Sequence, residues 1–290
     1  MSIKKLLPWY FRIIIKLILS RIPFSYTVWS RIGFFRHGAM DDFNYAWDVL
    51  KSHKNSVNVK DGWYGLELGP GDGLLSAFLV SNLNSSGLVM VDAGDYAHKN
   101  IQKYIKQIEN FRLSYPNSQV QKISNNLSID ELLSSRGSAY HSKGLESLRI
   151  LESNSFDLIF SQAVLEHIRC NEFYATMKEC YRLLKKGAVM SHVVDFKDHL
   201  GGGLNNMRIP SAIWEKNWFA PKSGFYTNRL RFSEMISICN DIGFEVEIKS
   251  IRKWDSLTIE RQALAKEFTQ LTEDDLLISG AHLIMYRRDS

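Results

Sequence analysis

The chain has 290 residues, 45% hydrophobic and 23% charged, enough apolar material for one large core with an appendage and too much for a disordered or fibrous protein. A net charge of +5 does not by itself mark a nucleic-acid binder. The cysteines Cys170, Cys180 and Cys239 include no CxxC pair, which argues against a disulfide framework and suits a reducing, cytoplasmic setting.

The opening run MSIKKLLPWYFRIIIKLILSRIPF carries Lys4, Lys5, Arg12, Lys16 and Arg21 and no acid. These charges interrupt the apolar stretch before it reaches the ~18 residues of a spanning helix, and no small-residue cleavage site follows, so a signal peptide is not expected. A basic amphipathic helix is expected, with two readings open. Residues 1–22 lie peripherally on an anionic membrane surface, with Lys and Arg snorkelling to the headgroups, or the helix packs on the main domain with its basic residues as a solvated edge. Residues 1–59 are set apart as a helical N-terminal extension.

From residue 60 short apolar runs alternate with helix-like segments, the pattern of a parallel sheet covered on both faces. Strands are predicted at 63–68, 88–92, 119–123, 156–160, 188–196, 244–248 and 281–287, and helices at 73–82, 97–113, 171–185 and 232–242, the last stopping before Gly243. The fold class is α/β: a Rossmann-like, doubly wound sheet of seven strands over 60–290, mostly parallel with an antiparallel edge strand. The polar stretch 134–153 reads as a loop. Residues 197–229 hold Trp214, Trp218, Phe219, Phe225 and Tyr226. They are read as an acceptor-side wall, the alternative being a small satellite core.

The segment GLELGPGDGLLSAF, 65–78, runs from strand to glycine turn to helix. Glycine in a βα turn permits unusual backbone angles and close approach of a ligand. Gly69, Gly71 and Gly73 give G-x-G-x-G, but Leu74 stands where the dinucleotide fingerprint wants glycine or alanine, and no Gly-Lys-Ser/Thr follows. The next strand ends at Asp92, about twenty residues on, where an acid can accept from both ribose hydroxyls of an adenosine.

With FDLIFSQAVLEHI (156–168) and YRLLKKGAVMSHVVDF (181–196) following in order, the chain resembles the class I S-adenosylmethionine-dependent methyltransferases over about 60–195. The resemblance implies S-adenosylmethionine as cofactor. Glu67 and the loop of Gly69, Gly71 and Gly73 would hold its amino-acid portion, Asp92 its ribose, Ala93 would lie beside the adenine, and Ser161, closing the fourth strand, would face the cofactor with its backbone. Many relatives place an acid after the third strand for the adenine amino group; here Asn125 would have to serve. GFFRHGAMDDF (33–43) is also similar to the entry segment of bacterial methyltransferases associated with surface-glycan assembly.

Methyl transfer to a hydroxyl needs an aligned nucleophile, a dry site and a base. No metal is needed, and no ligand spacing suggests one. The segment DFKDHL places Asp195, Asp198 and His199 after the fifth strand. His199 is the expected base and Asp198 its partner or alternative. His192 is read as a core residue and His167 as a brace of its loop. His37 and Asp41 could close over the cofactor or cap a helix. Tyr174 and Lys178 have the spacing of the short-chain dehydrogenase pair, which chance i,i+4 placement also explains. The expected function is O-methylation of a sugar, glycan or other small molecule by a cytoplasmic enzyme. A non-catalytic methyltransferase-like scaffold and a nicotinamide-dependent oxidoreductase or epimerase are the alternatives. Nucleic acid is not an expected partner, since the Asn/Asp-Pro-Pro-aromatic pattern and a basic stripe beyond residue 40 are lacking.

Overall fold

The structure, a computed structural model, describes residues 8–19, 21 and 39–288. Its strands are β1 (Trp63–Leu68), β2 (Ser85–Val91), β3 (Ala139–His141), β4 (Phe156–Gln162), β5 (Leu184–Asp195), β6 (Phe244–Lys253) and β7 (Ile278–Arg287). Its helices are α1 (Trp9–Leu19), α2 (Phe43–Asn55), α3 (Leu75–Leu79), α4 (Ile101–Ser114), α5 (Ile129–Ser134), α6 (Leu145–Ile150), α7 (Cys170–Leu183), α8 (Ser211–Trp214), α9 (Phe232–Ile242) and α10 (Glu273–Leu277). The strands form one seven-stranded sheet in the order β3-β2-β1-β4-β5-β7-β6. Pairings from β3 through β5 are parallel.

The antiparallel strand is β7, which lies between β5 and β6 and leaves β6 at the edge. Composition explains the order. In β7 the first eight residues are all buried and so require a neighbour on each side. In β6 only Phe244 is buried and the charged tail faces water, as an edge strand must to discourage further pairing.

Helices α2, α3 and α4 cover one face of the sheet, enclosing Trp47, Phe78, Tyr104, Phe111 and Phe160. Helices α6, α7 and α9 cover the other, around Phe173, Met177, Cys180 and Met235. The cap of α2 is Asp42, whose Oδ1 accepts from the amides of Asn44 at 3.0 Å and Tyr45 at 3.1 Å; Asp41 does not fill that position. Gly243 ends α9 with φ of +115°, a backbone conformation that favours glycine.

The third strand corrects the sequence reading. Residues 119–123 carry no ladder: Val120 is fully buried, but as a loop residue, with Gln119 N donating to Asn82 Oδ1 at 2.9 Å and the Val120 carbonyl accepting from Arg112. The strand is 139–141, inside the stretch read as a loop, which also holds α6. Its residues Ala139, Tyr140 and His141 are all half-buried, so no apolar run announces it, and only pairing with residues 89–91 of β2 defines it.

The aromatic segment builds a satellite core of its own: Trp214, Phe219, Phe225 and Tyr226 pack with Leu200 and with Ile13 of α1. Helix α1 is therefore packed on the main domain through this segment. Arg12 Nη1 donates to the Leu200 carbonyl at 3.0 Å, Lys16 Nζ to that of His199 at 3.2 Å, and Arg21 to that of Trp218. No helix among the described residues is long and apolar enough to cross a membrane.

Candidate functional site

The carboxyl end of β1 delivers Glu67 and the glycine turn. Gly69 and Gly71 have φ of +67° and +64°, where a side chain is strained. Space forbids side chains as well. A Cβ on Gly69 would lie 2.6 Å from Val164, and one on Gly73 would lie 2.4 Å from the carbonyl oxygen of Met40. The turn is thus pinned between the residues following β4 and the segment that enters α2, where Asp41 sits. His37 lies outside the described residues.

Asp92 closes the turn from the neighbouring strand. Its Oδ2 accepts from Gly71 N at 2.9 Å and its Oδ1 from Ala93 N at 2.7 Å. Burial raises its carboxyl to about 6; the amides of Gly71, Ala93 and Gly94 oppose the rise and Asp72 adds to it. Glu67 is raised to about 8, chiefly by burial, with Ser76 pulling it down and Asp92 pushing it up. Its Oε2 is buried without a hydrogen-bond partner among the described residues. Such an orphaned acceptor costs free energy until a donor reaches it, and an α-ammonium group on a ligand would supply one. Acid, glycine turn and Asp92 together fit the amino-acid and ribose ends of S-adenosylmethionine.

Ser161 pairs in register with Leu68 at the end of the β1/β4 ladder, but its hydroxyl is turned into the core, 2.7 Å from His192 Nδ1. His192 is fully buried, as expected of a core residue. Asn125 lies in an exposed turn ahead of β3, not after it, so its nomination as the residue following the third strand fails. That place belongs to 141–144: the His141 carbonyl accepts from Asp92 N at 2.8 Å, Gly144 N donates to the Asp92 carbonyl at 2.8 Å, and a Cβ on Gly144 would lie 3.5 Å from Ala93 Cα. Sequence reasoning missed these residues because it misplaced the strand.

After β4 the chain turns sharply through Ala163, a non-glycine residue at φ +55°, a conformation kept only where the surroundings enforce it. The next residue, Val164, fills the space against Gly69, and a short 3-10 turn then presents Glu166 and His167. His167 Nε2 meets His199 Nε2 at 3.2 Å with the rings stacked 5.0 Å apart. His167 Nδ1 is 2.9 Å from the Tyr226 carbonyl, which can only accept, so Nδ1 carries the proton. In the neutral pair His167 Nε2 is therefore an acceptor and His199 Nε2–H donates to it.

Asp198 is not the partner of His199. Its Oδ1 accepts from Leu200 N and Gly202 N, each at 2.9 Å, and its Oδ2 from Asn205 N at 2.5 Å. Three backbone amides occupy it, and it shapes the loop that carries His199. Tyr174 and Lys178 sit on the solvated face of α7, away from the strand ends. No group of three or more His, Cys, Asp or Glu placed to hold a metal occurs among the described residues.

The methyltransferase domain family matches residues 66–191, the span that carries Glu67, the glycine turn, Asp92 and His167. Among solved structures, a Chlamydomonas reinhardtii arsenic(III) S-adenosylmethionine methyltransferase is 14% identical over 83% of this chain and 69% of its own, with a TM-score of 0.47. A Methanosarcina mazei S-adenosylmethionine-dependent methyltransferase is 17% identical over 81% and 96%, with a TM-score of 0.45. Phosphoethanolamine N-methyltransferase 2 of Haemonchus contortus, solved with S-adenosylmethionine, is 13% identical over 85% of this chain, which spans about half (53%) of it, with a TM-score of 0.45. No curated protein matches the chain.

Proposed function

We propose that this chain, whose residues 66–191 match the methyltransferase domain family, is an S-adenosylmethionine-dependent enzyme that methylates a hydroxyl of a sugar, glycan or other small molecule, with His199 and His167 as the proton-accepting pair. S-adenosylmethionine, when bound, supplies a sulfonium methyl already activated for attack. In this reading the glycine turn, Glu67 and Asp92 hold the cofactor's amino-acid and ribose ends. Residues 141–144 and Ala93 border its base in place of Asn125.

The observation that carries the choice of base is the Nε2–Nε2 contact of 3.2 Å between His199 and His167. His167 Nδ1 is committed to the Tyr226 carbonyl, so its Nε2 can take on a proton while His199 Nε2–H gives one up. A hydroxyl proton taken up at His199 Nδ1 is then balanced by passage of the His199 Nε2 proton to His167 Nε2, without a change of partners. The turn at Ala163 and Val164 links this pair to the glycine loop, and the satellite core behind Tyr226 supports the acceptor side. Its place of action in this reading is the cytoplasm, at a membrane periphery reached through residues 1–22.

The test is methyl transfer from S-adenosylmethionine to hydroxyl-bearing acceptors, with the product identified by mass spectrometry. His199→Ala is expected to lose turnover while calorimetry shows cofactor affinity unchanged. Equal turnover removes His199 from the chemistry, and an N-methyl product overturns the assignment to oxygen.

A further inference from the structure

We infer that the outward face of α1 docks on an anionic lipid surface. This names the face and the lipid charge behind the membrane-periphery part of the proposed function, on which it rests. The helix inverts the usual order of a surface helix, whose outward stripe is polar. Trp9, Ile13 and Leu17 pack inward on the satellite core, whereas Tyr10, Phe11, Ile14 and Ile18 are 46–59% exposed. Residues 10, 14 and 18 stack one turn apart and residue 11 adjoins them, so the four make one continuous apolar face. The two cations that could have broken it are turned away: Arg12 and Lys16 donate to the carbonyls of Leu200 and His199. At the far end Trp218, 58% exposed, extends the patch onto the acceptor segment where Arg21 holds its carbonyl.

Charge identifies the occupant. Residues 1–40 contain seven Lys and Arg and no Asp or Glu, while residues 41–290 contain 29 basic residues against 31 acidic. The whole positive excess of the chain therefore lies in the segment that bears the apolar face. A second copy would bring two such positive segments together, which is repulsive. Anionic headgroups over hydrocarbon satisfy both features, with Trp and Tyr suited to the boundary. Eleven residues of helix extend about 16 Å, roughly half of a hydrocarbon core of about 30 Å, so α1 lies along the surface. The acceptor segment on its inner side is then held next to the lipid.

The experiment is flotation of the full chain with phosphatidylcholine vesicles made with or without phosphatidylglycerol. The chain is expected to float only with the anionic vesicles and to be released by high salt. A double variant, Ile14→Asp with Ile18→Asp, is expected to stay in solution while keeping its thermal midpoint and cofactor affinity; Ile14→Ser with Ile18→Ser, gentler on the fold, is expected to weaken flotation in the same direction. Removing residues 1–22 is the poorer test, because it would uncover the core around Trp214. The inference is overturned if the wild-type chain does not bind anionic vesicles, if the variants float equally, or if the wild-type chain is a dimer that the substitutions disperse. Flotation does not depend on methyl transfer, so its failure is distinguishable from failure of the enzymatic reading.

Discussion

In the proposed site Asp92 serves two sets of donors. Each carboxylate oxygen already accepts from a backbone amide, of Gly71 or Ala93, and each retains a lone pair for a ribose hydroxyl. Protonation turns one oxygen into a donor and removes that capacity. Because burial raises this carboxyl to about 6, S-adenosylmethionine affinity is expected to fall as pH drops through 6, on top of a separate dependence near pH 8 from Glu67. Asp92→Asn, whose amide offers one acceptor instead of two, is expected to weaken binding by about 1–3 kcal/mol and to abolish the fall through pH 6 in calorimetry; a variant with unchanged affinity would dismiss the role. His199 and Asp198, adjacent in the chain, are expected to fail differently. His199→Ala should lower kcat by about 100- to 10,000-fold, the range for loss of a general base, with stability intact. Asp198→Ala strips Leu200 N and Asn205 N of their acceptor, leaves Gly202 N only the residue's own carbonyl, and should destabilise the fold by about 1–3 kcal/mol, seen as a lower thermal midpoint, with turnover falling because the loop bearing His199 loosens.

At the scale of elements, the glycines test how the turn is held. An alanine methyl at 73 would lie 2.4 Å from the Met40 carbonyl oxygen, a backbone atom that cannot step aside as a flexible side chain would. Gly73→Ala should therefore lift residues 40–42 and the start of α2 off the turn, costing about 1–3 kcal/mol and weakening cofactor binding. Gly187→Ala, in open space with φ +70°, should cost about 1–2 kcal/mol of backbone strain alone and leave binding untouched. Calorimetry and thermal melts on the two variants separate the mechanisms. Legibility in the sequence follows the same logic. Strands β1, β4 and β5 are buried enough to print an apolar run, and the glycine turn is required by conformation and close packing, so both could be read. Strand β3 exists through its ladder with β2 and has no apolar face, while the buried Val120 in QVQKI imitated a strand; Asn125 went astray with it. The joining of His167 to His199 was invisible because the two, 32 positions apart, meet only when β4 and β5 end side by side.

Across the whole molecule, buried ionisable groups of opposite kind set how stability varies with pH. Burial raises Glu67 and Glu166 to about 8 from an ordinary 4.5 and lowers His53 and His192 to about 3 from 6.5. Relative to the unfolded chain, the folded protein holds extra protons on the two carboxyls between pH 4.5 and 8 and lacks protons on the two histidines between pH 3 and 6.5. The carboxyls make stability fall as pH rises, and the histidines make it rise with pH. Between pH 4.5 and 6.5 these four groups nearly cancel, with Asp92, raised by burial to about 6, adding to the carboxyl side and His98 and His282, lowered by burial, adding to the histidine side. Below 4.5 the histidine effect prevails and stability falls toward acid; above 6.5 the carboxyl effect prevails and stability falls toward pH 8. The thermal midpoint of the cofactor-free protein is thus expected to be a plateau near pH 5–6 with a decline on both sides. Glu67→Gln should remove part of the alkaline limb and leave the acid limb unchanged. Saturating S-adenosylmethionine should flatten the same limb, because a cation at the orphaned Oε2 favours the ionised carboxyl and brings Glu67 back toward its ordinary value. An alkaline limb as steep with cofactor bound as without it would separate Glu67 from the amino-acid end of the site.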